Sequence, residues 1–331
     1  MDARLRRVQR GSGSAARAGV RSGSPALHPV LALQRAVGNR AVVSRMPVQR
    51  KAPGTAKAQA LTRLKTEFGI TAVREGTVAD QAQRVAGVPR HRSADEAQKQ
   101  LAAGGWTAWS PPEKSGDWTA MVDGVARFAA AVGGLPAITE ILFFAQDYDL
   151  GGADHRLTPR PDVGASFSAG SLLVFRKGTR GRFVAAGRRD PGTPSNTTRE
   201  GVGYEMTHEL GHGVVEKAME TDKSVLTRYG AAVGWSGGQL YDIGRPGVRE
   251  ALAANRTPPA SALLTKDNWE KADVVEQPMA EYMVTSPGED LPETIAAFVN
   301  RPDVLKARSP RRFAFVEQHV GAWRTAMRGS P

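Results

Sequence analysis

The sequence of 331 residues contains no cysteine, and this absence limits the chemistry available to the protein. Without thiols there is no disulfide and no thiolate ligand, so any bound metal must be held by histidine and carboxylate side chains. Histidine is also scarce, with six in the chain. No run of 18 apolar residues occurs and the N-terminus lacks the apolar segment of a secretory signal, so we expect neither a membrane span nor a signal peptide.

Acidic residues are almost missing from the first 65 positions, which hold one of them against 14 lysines and arginines. The rest of the chain carries 31 basic and 32 acidic side chains, so the net charge of +12 comes from the N-terminal part. We predict a disordered basic arm over 1–58 and a folded domain over 59–331, with a sheet-containing half (59–198) and a helical half (199–331). Because the folded part is close to neutral, the basic charge only weakly supports a nucleic-acid-binding protein, and we expect no nucleic-acid partner.

Hydrophobic patterning predicts both helices and strands in the folded part. Helices are expected at 56–68, 77–85, from Ser93 onward, and at 118–132, 266–282 with a break at Pro278, 291–299 and 310–327. Strands are expected at 70–74, 138–145, 163–167 and 172–176. The last three strands are expected to form one sheet.

The stretch from Thr207 to Glu216 contains the strongest motif in the chain. On a helix, His208 and His212 lie one turn apart on the same face, so both imidazoles can reach one metal ion. Glu209 lies beside them, and this H-E-x-x-H spacing is typical of a zinc site in which the glutamate acts as general base on a water. An ordinary helix that happens to carry two histidines is the alternative interpretation.

Two glycines and an apolar stripe on the same helix favour the metal site. Gly211 and Gly213 each cost about 1 kcal/mol relative to alanine in a helix interior, which is accepted where another segment approaches the backbone. The opposite face of the helix carries an apolar stripe that is expected to pack into the core, formed by Met206, Leu210, Val214 and Ala218. The metal-binding face and the core face are therefore separate.

A catalytic zinc ion needs a third protein ligand, and no later histidine follows at the spacing of the three-histidine motif. A glutamate on a later helix is therefore required. Ser286 and Pro287 form a good helix start, after which Glu289 and Glu293 lie one turn apart on one face. We predict that Glu289 binds the metal and that Glu293 orients a histidine through its second ring nitrogen. Tyr282 is predicted to donate a hydrogen bond to the developing oxyanion.

These two segments resemble the catalytic core of the anthrax lethal factor-like toxin metallopeptidases. In that family a tyrosine precedes the glutamate ligand by seven residues and a second glutamate follows it by four, spacings that Tyr282, Glu289 and Glu293 match. The resemblance covers residues 60–325. It implies an α+β, zincin-like fold of the gluzincin type, in which a twisted sheet with helices and a mostly helical C-terminal half flank an active-site helix.

The resemblance also implies Zn²⁺ as the cofactor and a protein or peptide substrate that lies extended beside an edge strand. Residues 171–177 are the candidate edge strand. Pro292 departs from the family pattern, because a small residue usually precedes the second glutamate. A proline inside a helix removes a backbone hydrogen bond and can shift the helix start. Glu281 and Glu293 therefore remain alternative third ligands, in which case Glu289 is only a carboxylate at a helix start.

Residues 28–43 of the basic arm resemble a signature near the N-termini of proteins associated with bacterial extracellular contractile injection systems. A transient basic helix in a linker is the alternative. We therefore expect a zinc endopeptidase made in the bacterial cytoplasm, a toxin or effector that such a particle delivers outside the cell or into a target cell. The second hypothesis is a non-catalytic cargo or structural component of the injection system that uses a zincin-like scaffold.

Overall fold

The computed structural model describes residues 53–86, 94–103, 115–144, 147–151, 156–160, 165–168, 170–175, 199–269, 272 and 276–327. All of them belong to one compact unit, Arg50–Pro331. The injection-system signature at 28–43 lies outside the described residues, so the predicted role of the basic arm stays a prediction. No described helix is both long enough and apolar enough to cross a membrane.

The described chain is α+β, as predicted, and mostly helical. The N-terminal part consists of α1 (Pro53–Phe68), β1 (Ala72–Glu75), α2 (Val78–Ala86), α3 (Ala94–Ala103), α4 (Ser115–Val132), β2 (Glu140–Phe144), β3 (Asp147–Gly151), β4 (Arg156–Arg160), β5 (Ala165–Ser168) and β6 (Ser171–Phe175). The C-terminal part consists of α5 (Arg199–Thr221), α6 (Val225–Val233), β7 (Trp235–Ser236), β8 (Gln239–Tyr241), α7 (Val248–Ala253), β9 (Leu263–Leu264), α8 (Pro287–Asn300), α9 (Pro302–Arg308) and α10 (Pro310–Met327), with 3₁₀ helices at Ala260–Ala262 and Glu281–Val284.

The central sheet is small and mixed, with the strand order β1–β2–β6–β5. β1, β2 and β6 are parallel, and β5 pairs antiparallel with β6 after a tight turn at Gly170, whose φ of 86° favours glycine. The predicted sheet of three strands is confirmed, with β1 added at one side. β6 lies between β2 and β5, so the prediction of an edge strand at 171–177 is wrong. Within the described part of the chain, β5 is the outer strand on that side.

One hydrophobic core joins the sheet to the long helices. It includes Ile141, Phe143, Phe167 and Leu172 from the sheet, Val125 and Phe128 from α4, Met206, Leu210, Val214 and Ala218 from α5, Leu291 and Ile295 from α8, and Phe315, Val316 and Trp323 from α10. The four α5 residues are the predicted apolar stripe, and each is at most 4% exposed. The core-facing side of α5 is therefore confirmed, and it fixes α5 between α4 and α8.

Residues 266–282 do not form the predicted helix, since the described ones lie in turns, bends and the 3₁₀ helix Glu281–Val284. Polar groups in this stretch bond to distant elements instead. The backbone N–H of Gln277 donates to the Arg308 carbonyl, and the Glu276 carboxylate accepts the Arg311 backbone N–H at 2.8 Å. Pro278 also removes a helix donor and disfavours helical geometry at the residue before it. Tertiary contacts therefore override the local helical pattern.

Candidate metal centre

Helix α5 carries the H-E-x-x-H stretch through the interior of the protein. His208 and Glu209 are buried, and His212 is partly exposed. The two imidazole rings lie 4.9 Å apart between centroids, and their Nε2 atoms are separated by 3.2 Å. The helical spacing thus directs both nitrogens to one point, as the sequence pattern predicts.

Glu289 adds a third donor from α8. Its Oε2 lies 3.4 Å from Nε2 of His208 and 3.4 Å from Nε2 of His212. Two ligands of a tetrahedral zinc ion, each bound at about 2.0–2.1 Å, lie about 3.3 Å from one another. The three donor atoms therefore fit one tetrahedral ion, with one position left for water or substrate.

The start of α8 places Glu289. Ser286 is the N-cap, and its hydroxyl accepts a hydrogen bond of 3.2 Å from the Glu289 backbone N–H. Pro287 occupies the first helical position, where its fixed φ suits the helix. A backbone N–H at this position would have no acceptor within the helix, so its absence in proline costs no hydrogen bond. Pro292 lies within the helix but does not move this start. The predicted helix start at Ser286 and Pro287 is confirmed.

The two alternative ligands have other partners. Glu281 lies on the 3₁₀ helix, and its carboxylate is 3.6 Å from Nζ of Lys266. Glu293 lies with its Oε2 2.7 Å from Nδ1 of His208, while its Oε1 accepts a hydrogen bond of 2.8 Å from the Tyr204 hydroxyl. This is the contact predicted for Glu293. It fixes the orientation of His208 and leaves Nε2 directed at the donor cluster.

Sequence reasoning missed two residues that support this arrangement. Tyr204 lies one turn before His208 on α5, and that four-residue spacing was a usable signal. Asn300, near the end of α8, donates a hydrogen bond of 2.7 Å to the hydroxyl of Thr207. No sequence pattern predicts the contact between Asn300 and Thr207, because the two residues are far apart in the chain. Both contacts tie α8 to α5 beside the histidines.

The glycines of α5 lie where other segments approach its backbone. A Cβ at Gly211 would lie 2.9 Å from the Pro292 carbonyl oxygen and 3.0 Å from the Pro292 Cα. A Cβ at Gly213 would lie 2.7 Å from ring atoms of both Pro136 and Phe167. The predicted close approach is confirmed. It brings α8 near enough for its carboxylates to reach the histidines, and it places β5 against α5.

The donor cluster carries excess negative charge. In the described part of the chain, the ion-pair partners of Glu289 and Glu293 are histidines rather than lysine or arginine. Burial alone would lower the pKa of His208, but hydrogen bonds to Glu289 and Glu293 outweigh it and raise this pKa well above its usual value. Burial would raise the pKa of Glu289, but bonds from both histidines hold it well below its usual range. A divalent cation would supply the charge that protons otherwise provide.

Tyr282 lies beside this cluster on the 3₁₀ helix Glu281–Val284. Its ring meets the His208 ring edge to face, with the centroids 6.0 Å apart and the planes at 88°. This is a favourable aromatic contact that holds the tyrosine next to the donors. The structure therefore brings together five of the predicted site residues, which are His208, His212, Tyr282, Glu289 and Glu293. Glu209 is buried next to His208 on the same helix, and its charge helps to raise the pKa of His208.

No protein family, curated protein or solved structure compared with the chain matches it.

Proposed function

We propose that the protein is a zinc-dependent endopeptidase. The observation that carries the proposal is the triangle formed by Nε2 of His208, Nε2 of His212 and Oε2 of Glu289. Its edges of 3.2, 3.4 and 3.4 Å suit three ligands of one tetrahedral ion. Two imidazoles with one carboxylate favour Zn²⁺ over Ca²⁺ and Mg²⁺, which prefer oxygen ligands.

In this proposal each of the clustered side chains has a separate role. Zn²⁺, when bound, supplies a Lewis acid that lowers the pKa of a water and polarises a peptide carbonyl. Glu209 accepts the proton of the attacking water and passes it to the leaving amine. Tyr282 donates a hydrogen bond to the oxyanion that develops on the carbonyl. Glu293 holds His208 in the ring orientation that its role as a ligand requires.

Strand β5 supports an extended peptide as the substrate. Its residue Phe167 lies against Gly213 of α5, so this strand runs beside the helix that carries the histidines. In the part of the chain that the structure describes, β5 pairs with β6 alone. A peptide that adds to this edge through main-chain hydrogen bonds would pass next to the donor cluster. The mixed sheet, α5 and the helical C-terminal part together support a zincin-like fold.

We also propose that the enzyme is a bacterial toxin or effector carried by a contractile injection system. This part of the proposal rests on the signature at residues 28–43. Deletion of residues 1–50 is expected to abolish loading into the particle and to leave peptidase activity unchanged. Loading that persists after the deletion would contradict this role for the arm.

Glu209→Gln tests the catalytic proposal. Glutamine keeps the size of the side chain but cannot accept a proton, so turnover should fall by about 10²–10⁴-fold while the zinc content stays unchanged. The measurement is mass-spectrometric detection of new termini in a library of proteome-derived peptides. Glu220→Gln, an exposed change on the same helix, should leave turnover unchanged. Retained turnover in Glu209→Gln would refute the catalytic role of Glu209, whereas absence of turnover in the wild type would favour the non-catalytic injection-system component.

A further inference from the structure

Helix α8 carries a second buried cluster, centred on Asp290, the residue that follows Glu289. The Asp290 carboxylate accepts hydrogen bonds at Oδ1 from the Tyr229 hydroxyl (2.8 Å) and from Nε of Arg312 (2.9 Å). At Oδ2 it accepts from the Trp235 indole N–H (2.8 Å) and from Nη2 of Arg312 (2.7 Å). Asp290 is therefore held by a two-pronged guanidinium and by neutral hydroxyl and indole donors, a strong and directional arrangement.

Arg312 connects this cluster to the first turn of α10. Its Nη1 lies 3.0 Å from Oε1 of Glu276, and the same carboxylate accepts the backbone N–H of Arg311 and of Arg312. The side chains of Arg312 and Asp290 are 0% exposed, and that of Glu276 is 1% exposed. The cluster formed by Glu276, Asp290, Arg312, Tyr229 and Trp235 thus joins α8 to α6, β7 and α10.

We propose that Arg312 is a positioning residue for the metal centre. Its two hydrogen bonds to Asp290 fix the rotation of α8 about its own axis, and this rotation decides whether Glu289 and Glu293 point at the histidines. The proposal rests on the proposed zinc site for its function, but the positioning itself is a property of the zinc-free protein.

The geometry of a helix makes this rotation critical. Consecutive residues are about 100° apart around the axis, so fixing Asp290 also fixes the directions of Glu289 and Glu293. A side-chain tip about 6 Å from the axis moves by about 1 Å when the helix turns by about 10°. Metal sites tolerate ligand displacements of only about 0.2 Å. A small rotation of α8 would therefore move Oε2 of Glu289 out of the distance at which it can bind the same metal ion as the two histidines.

The hydrogen bonds between α5 and α8 hold α8 from one side. The bonds from Glu293 to His208 and from Asn300 to Thr207 all lie on the side of α8 that faces α5. The Asp290 cluster holds α8 from α6, β7 and α10 instead. Attachments on two sides restrict rotation more than attachments on one side, so the Asp290 cluster adds to the packing of the buried apolar residues of α8.

Arg312→Lys tests the proposal. Lysine keeps the positive charge but replaces the planar fork by a single ammonium, so Asp290 loses one of its two charged bonds. We expect zinc affinity, measured by competition with a chelator, to fall about tenfold, and the absorption spectrum of the Co²⁺-substituted protein to change. The matched control is Leu64→Ala, a core change in α1, a helix that packs mainly against α4; it should lower the urea midpoint. Its zinc affinity should stay within about twofold of wild type.

Wild-type zinc affinity and an unchanged Co²⁺ spectrum in Arg312→Lys would overturn the proposal. If the lysine variant does not fold, Trp235→Phe replaces it, because it removes one donor to Asp290 and keeps an aromatic ring in place. This variant should weaken zinc binding about threefold, and unchanged affinity would again overturn the proposal.

Absence of zinc binding in the wild type would refute the proposed enzyme rather than the positioning role. Positioning is then measured in the zinc-free protein, from the proton resonance of the His208 Nδ1–H that faces Glu293. This resonance should shift in Arg312→Lys and stay in place in Leu64→Ala. An identical resonance in all three proteins would overturn the positioning role.

Discussion

The two sides of helix α8 hold their carboxylates in different ways. On the side that faces α5, Glu289 and Glu293 are paired with imidazoles, whose positive charge depends on bound protons. On the side that faces α10, Asp290 is paired with Arg312, whose charge is permanent. The first arrangement can exchange its protons for a metal ion, whereas the second is complete as it stands. One helix can therefore carry a site that exchanges protons for metal and a permanent ion pair on neighbouring residues.

Exposure follows the same division. The Glu289 side chain is 35% exposed, so a metal ion and a substrate can reach it, whereas the adjacent Asp290 side chain is 0% exposed. A buried ion pair is weak evidence for net stability, but removal of one partner is strongly destabilising. We therefore expect changes on the α10 side to lower stability and, through the rotation of α8, zinc affinity as well, whereas changes on the α5 side should act mainly on zinc binding.

The largest effect on stability is expected from Arg312→Met. Methionine fills much of the same space but leaves Asp290 and Glu276 buried without a cation, so the free energy of unfolding should fall by about 3–5 kcal/mol. Urea unfolding of the zinc-free protein measures this loss. A loss below about 1 kcal/mol would contradict the expectation that removal of Arg312 from its buried ion pair with Asp290 strongly destabilises the protein.

Glu293→Gln is expected to act on the other side of the comparison. The loss of charge next to Nδ1 of His208 should weaken zinc binding by about 10–100-fold, which corresponds to about 1.4–2.7 kcal/mol. The stability of the zinc-free protein should change less than in Arg312→Met. Glu281→Gln is the control, because Glu281 pairs with Lys266, and its zinc affinity should match that of wild type. If both changes weakened zinc binding equally, Glu281 would become a candidate for the third ligand.

Gly211→Ala should have a smaller effect, about 1–2 kcal/mol of destabilisation. Alanine is the better helix former by about 1 kcal/mol, but its Cβ would meet the backbone of Pro292, and the strain should outweigh that gain. Gly321→Ala is the matched control, since Gly321 is exposed on α10 and its Cβ would have no atom within 4 Å. That change should stabilise the protein by up to about 1 kcal/mol. If the urea midpoints of Gly211→Ala and Gly321→Ala shifted in the same direction, the close contact between Gly211 and Pro292 would be contradicted.

Much of the site could be predicted because it depends on local rules. The spacing of His208 and His212 follows from helical geometry, and Ser286 with Pro287 marks a helix start that places Glu289. The Asp290 cluster could not be predicted in this way, since its members come from elements far apart in the sequence. One sequence signal does exist: Arg312 lies in the first turn of α10, where the helix dipole disfavours a cation unless an acidic partner is present.

The fold was predictable where a helix is decided by its own residues, as in α10, whose bounds match the expected 310–327. Strand order is a property of the whole chain, so the position of β5 outside β6 had no local signal, and the β3–β4 hairpin was not predicted. The predicted helix at 266–282 is wrong for a related reason. Glu276 and Gln277 form bonds with α9 and α10, and these tertiary contacts replace helical ones.

The most direct test of the central claim is elemental analysis of the purified protein beside His212→Ala and Glu289→Ala. The proposed site predicts about one zinc ion per chain in the wild type and loss of that zinc in both variants, because each removes one of three protein ligands. Wild-type protein without stoichiometric metal would contradict the proposed enzyme.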